Sequence, residues 1–80
     1  MLSTALIVRA TWDPEAEMWV AVSPDLPGLV TEAGSLDELR AKLKIMIPDL
    51  LEARGELAEG PAEIPLVLLT ERVERVRLRA

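Results

Sequence analysis

The stretch SPDLPGLVTEAGSLDEL, residues 23–39, sets two prolines and two glycines among apolar residues that otherwise favour strands and helices. Pro24 and Pro27 lack backbone donors and fix φ, and Gly28 accepts conformations closed to other residues. PDLPG therefore ends one strand abruptly and sends LVTEA back as the next. Ser35 follows Gly34 and stands three residues before Glu38, the spacing of a capping box, so a helix opens at SLDEL. One run thus contains a strand end, a tight crossing, a further strand and a helix start.

Working back toward the N-terminus, ALIVRATW (Ala5–Trp12) is apolar and β-branched. It places Leu6, Val8, Ala10 and Trp12 on one face and Ile7, Arg9 and Thr11 on the other. Asp13 and Pro14 are favoured turn openers, and MWVAVS (Met18–Ser23) returns as a second strand, for which an antiparallel hairpin is the economical arrangement. That hairpin brings Trp12 and Trp19 together. The indoles then cap one end of a small core or serve as an anchor for a partner.

Working forward, Leu36, Leu39, Leu43, Met46, Ile47, Leu50 and Leu51 fall on one stripe at 100° per residue, with Asp37, Glu38, Asp49 and Glu52 away from it. Ile45 lies opposite the stripe, which hints at a contact surface, and Pro48 removes the hydrogen bond to the Lys44 carbonyl, which predicts a bend. Gly55 is placed to cap the helix C-terminus, and GELAEGPAE is a polar connector. In the tail IPLVLLTERVERVRLRA, Ile64, Leu66 and Leu68 alternate with Val67 and Leu69, which predicts a strand buried on both faces. Between Val73 and Val76 the pattern changes phase, so a long strand with a bulge or bend is expected, a helical turn being the alternative. The order is β-β-β-α-β, an α+β fold in a single domain, residues 1–80.

Composition limits the chemistry. The 80 residues include no Cys and no His, so there is no disulfide and no thiolate or imidazole metal ligand. Asp13, Glu15, Glu17, Asp25 and Glu32 are the only acidic set that could act together; three of them sit in an exposed turn and read as solvated surface. No serine or threonine has an obvious base. These features predict no catalytic residues, no metal and no cofactor. The net charge is −5, and no segment offers a cationic surface, so direct nucleic-acid binding is not expected. Arg9 interrupts the first apolar run too early for an export signal or a membrane span, which predicts a cytoplasmic protein with no membrane contact.

Three segments then carry a resemblance: IVRATWDPEAEMWVAVSPDLPGLVTEAGSLDELRAKL (residues 7–43), IPDLLEA (47–53) and EIPLVLLTERVERVRL (63–78). The chain resembles the small stand-alone HicB-like proteins, over nearly its whole length. WDPE…WVA, the Pro-Asp-Leu-Pro-Gly loop and the Ser-Leu-Asp-Glu-Leu helix start are the most specific parts. The resemblance implies a three-stranded antiparallel sheet, a helix across it and a fourth strand, a truncated ribonuclease-H-like arrangement. It also implies an antitoxin role toward a small basic RNA-cleaving toxin of the HicA type. Full-length relatives usually carry a C-terminal DNA-binding domain, and none is expected after Ala80, so autorepression is not implied.

These readings set the functional expectations. The partner surface is expected at Trp12, Asp13, Glu15, Glu17, Trp19, Asp25, Leu26 and Glu32, with the prolines presenting Asp25 and Leu26 at small ordering cost unless that loop only shapes the crossing. A small core, a sheet with apolar residues on both faces and a tail longer than the sheet needs predict a homodimer through Val73, Val76 and Leu78. An orphan dimeric interaction module with no toxin is the alternative function.

Overall fold

The computed structural model describes residues 5–56 and 63–79. Its elements follow the expected order: β1 (Leu6–Asp13), β2 (Met18–Val22), β3 (Val30–Ala33), α1 (Leu36–Ala53) and β4 (Leu66–Glu71). The strands form one sheet in the order β3-β2-β1-β4. β1 and β2 pair antiparallel with Trp12 opposite Trp19, and β2 and β3 pair antiparallel with Val22 opposite Val30. β4 lies on the far side of β1 and parallel to it, Leu6 opposite Leu66 and Thr11 opposite Glu71. The crossing α1 makes this parallel return possible, because parallel neighbours need a long connection.

The 23–39 stretch folds as its residues dictate. Leu29 N donates to Leu26 O at 3.1 Å, closing a turn with Pro27 and Gly28 at its centre. Gly28 has φ +94°, the positive value that the third residue of a type II turn requires. Ser35 Oγ accepts from Glu38 N at 3.1 Å and caps α1. At the other end Gly55, with φ +75°, donates to Glu52 O, and Glu56 N donates to Leu51 O. Those two bonds are a Schellman motif. Pro48 lies inside the helix and does not end it. Both Pro48 and Lys44 are exposed, so the carbonyl that Pro48 leaves without a donor faces water.

The core lies between α1 and one face of the sheet. Leu39, Leu43, Ile47 and Leu51 of the helix are buried against Leu6, Val8, Ala10, Trp19, Ala21 and Ala33 of the strands, with Leu26 and Leu29 closing the loop end. Each fully buried aliphatic side chain is worth about 1.5–3 kcal/mol. The helix packs against β3 and β2, leaving β4 at the margin, where Ile64, Leu66 and Leu68 are half-buried.

Two expectations for the tail need correction. β4 is not buried on both faces: Val67 is 38% and Leu69 43% exposed, because the single helix covers only the other side of the sheet. Nor does the strand run on to Leu78. It ends at Glu71, opposite Thr11 and two residues short of the end of β1, and residues 72–79 have no ladder partner among the described residues. Val73, Val76 and Leu78 are exposed. The chain reaches 59 Å along its longest axis, and its radius of gyration is 15.2 Å, where about 12 Å is usual for this length. Of the polar connector after the helix, residues 57–62 lie outside the described residues.

Candidate functional site

The β1–β2 turn supplies the best-defined polar and aromatic cluster. Asp13 Oδ1 accepts from Glu15 N at 3.0 Å and Ala16 N at 3.3 Å, so this carboxylate shapes the turn. Glu17 has φ +53°, a left-handed conformation that lets the chain re-enter β2. Glu15 and Glu17 point to solvent at the tip. Directly behind them Trp12 and Trp19 meet edge to face, centroids 5.3 Å apart at 62°. Trp19 is buried while Trp12 is half-exposed, so the pair closes one end of the core and shows one indole to solvent. The Arg72 guanidinium sits over Trp12, 4.6 Å from the ring centroid.

The other expected residues do not join this cluster. Glu32 is opposite Val20, which is opposite Thr11, so it lies at the same end of the sheet but on the face away from the indoles. Its backbone carbonyl accepts from Lys42 Nζ at 2.6 Å. Asp25 and Leu26 lie at the opposite end, about 20 Å away along β1. Asp25 Oδ2 accepts from Ile7 N at 2.8 Å, while Ser23 Oγ donates to Ile7 O at 2.6 Å and accepts from Asp25 N. Where β2 stops pairing with β1, these side chains take its place. Leu26 is 1% exposed, so the prolines do not present it to solvent; its side chain is core. The loop thus shapes the crossing, with Asp25 as its tether.

The structure also locates an apolar outer face that the sequence reading anticipated without placing its residues. On the side of the sheet away from α1, Val30, Val22, Arg9 and Leu69 form one row across the strands, and Ile7 and Val67 lie beside it. Val22 and Val30 are 45% and 62% exposed. A signal was present: β4 is apolar at both parities, while only one helix is available to cover a two-sided sheet. Among the described residues no group of three carboxylates is placed to hold a metal ion, and no helix is long and apolar enough to cross a membrane.

One helix on one face of a mixed four-stranded sheet, with a looped-in carboxylate substituting for a strand end, defines a small α+β domain with a recognisable family. The chain belongs to the family described as Domain of unknown function (DUF1902), whose model matches residues 5–80. It is 46% identical to a hypothetical protein of the extremely thermophilic bacterium Thermus thermophilus. That crystal structure matches with a TM-score of 0.67, covering 92% of this chain and 99% of the other. A protein of Thermotoga maritima named UPF0150 protein is 40% identical over 45 residues, which are 56% of this chain and 60% of that protein. The match thus spans less than two thirds of the length of this curated relative.

Proposed function

We propose that the chain is an antitoxin of the HicB type, which binds and neutralises a small basic RNA-cleaving toxin of the HicA type by covering the surface that would hold RNA phosphates. The observation that carries this reading is the hairpin end: Asp13, Glu15 and Glu17 beside a half-exposed Trp12 that is braced by Trp19. Carboxylates around an aromatic anchor suit a cationic partner, since the charges steer approach and the indole supplies buried area. The net charge of −5 and the resemblance of the WDPE…WVA and PDLPG motifs support the same reading.

The partner to test is the product of the adjacent gene, captured on a surface while association is followed at several salt concentrations. Replacing Glu15 and Glu17 together by Gln should slow association by roughly tenfold at low salt and flatten its salt dependence, leaving dissociation unchanged. Trp12→Ala should instead speed dissociation. Salt-independent association indifferent to the glutamates would place the docking face elsewhere.

One observation favours a second reading, an interaction module whose partner is not a toxin. Among the described residues nothing covers the apolar sheet face around Val22, Val30, Val67 and Leu69, and a patch of that kind is usual at protein contacts. A bound partner protected there, with the hairpin end left free, would select this reading.

A further inference from the structure

Among the described residues, the outer edge of β4 and the tail that follows it form one continuous segment with no backbone partner. Leu6 N donates to Pro65 O at 2.9 Å, so the odd-numbered residues of β4 direct their backbone groups at β1. The even-numbered ones, Leu66, Leu68 and Thr70, direct theirs at the open edge. Beyond the strand, RVRLR (residues 75–79) alternates strictly between arginine and an apolar residue, the pattern of a half-buried strand. Val76 and Leu78 share the parity of Leu66 and Leu68, the core-facing side. Among the described residues nothing covers them: Val73 is 93%, Val76 81% and Leu78 90% exposed.

We infer that the occupant of this edge is a second copy of the same chain, its β4 and tail running antiparallel to the first across a two-fold axis at Val73. The edge geometry requires even-numbered residues to face even-numbered ones, and among axes at residues 71–75, which engage both the end of β4 and the tail, charge separates the registers. An axis at residue 71 puts Glu71 against Glu71; at 72, Arg72 against Arg72; at 74, Glu74 against Glu74; at 75, Arg75 against Arg75. Like charges directly opposite destabilise a pair. With the axis at Val73, Arg72 faces Glu74 and Glu71 faces Arg75, each pair occurring twice by symmetry. Val73 faces its own copy, Thr70 faces Val76 and Leu68 faces Leu78. Arg72 is already placed for this by its stacking on Trp12, and it lies 3.8 Å from Glu74 of its own chain on the same side of the segment. A bend at Leu78 marks where the straight run ends. The pairing joins the two sheets edge to edge and gives each tail the ladder partner that its own chain lacks.

The test uses the full chain alone, so its outcome is independent of the toxin reading. Light scattering at micromolar concentration should give twice the 8.8 kDa chain mass. Glu71→Arg sets two pairs of like charges opposite one another and should raise the dimer dissociation constant by about tenfold, with unchanged far-UV dichroism. Adding Arg75→Glu should restore it. The chain has no cysteine. At the axis, a position whose backbone groups point away from the partner, Val73→Cys should therefore form an intermolecular disulfide readily, because paired Cα atoms are about 4.5 Å apart at such positions. Arg72→Cys and Glu74→Cys, each tested alone, should cross-link poorly. A monomer mass overturns the inference. So does a dimer indifferent to Glu71→Arg, or one cross-linked best through residue 72 or 74.

Discussion

Individual residues in the 23–39 stretch contribute through the backbone more than through exposed chemistry. Gly28 illustrates this. A Cβ built there meets nothing within 4 Å, so the requirement for glycine comes from φ +94° alone. Gly28→Val should cost roughly 1–3 kcal/mol, read as a lower midpoint in chemical denaturation, although no atom clashes. Asp25 carries a second consequence. Because its carboxylate holds Ile7 N, Asp25→Ala should lower stability by about 1 kcal/mol, and loss of partner binding in that variant would report the loop's shape as well as its charge. The role of Asp25 was not legible from the sequence, since nothing in PDLPG says which distant backbone group its side chain reaches.

At the scale of elements, the helix was the most legible part of the chain and the tail the least, for one physical reason. The stripe from Leu36 to Leu51 has its partner surface within the same chain, so periodicity and burial agree: Leu39, Leu43, Ile47 and Leu51 are buried and Ile45 is 67% exposed. Strand alternation was readable in IPLVLL, while beyond it the phase change between Val73 and Val76 left a helical turn as the alternative; a strand is formed only where a neighbour supplies hydrogen bonds, and β1 supplies them only as far as Glu71. Pattern alone does not reveal where the neighbour ends. The hairpin cluster was legible because a short turn forces Trp12 and Trp19 together, whereas the face that Glu32 takes depends on register, which the pattern left open. The helix also carries a direct prediction. Pro48 lies inside α1 on its solvent side, so Pro48→Ala restores a donor to the Lys44 carbonyl without disturbing the stripe. Stability should rise by roughly 1–3 kcal/mol, seen as a higher thermal midpoint at fixed protein concentration.

For the molecule as a whole, one helix cannot cover both faces of a four-stranded sheet, and an 80-residue chain has little core to spare. The fold places the hairpin carboxylates and its exposed aliphatic side chains in different regions, the tail interleaving its aliphatic residues with arginines. Carboxylates and the indole pair occupy the hairpin end; aliphatic side chains occupy the outer sheet face and the tail. Under the proposed function the carboxylates at the turn tip meet a basic partner, while self-association uses the tail, which adjoins that end through Arg72 on Trp12. The proposed neutralising role is tested most directly by an RNA-cleavage assay with the purified product of the adjacent gene. Adding this chain in equimolar amount should stop cleavage, and the Glu15→Gln/Glu17→Gln variant should need longer preincubation to do so. Cleavage that continues unchanged in the presence of excess folded chain would contradict the account.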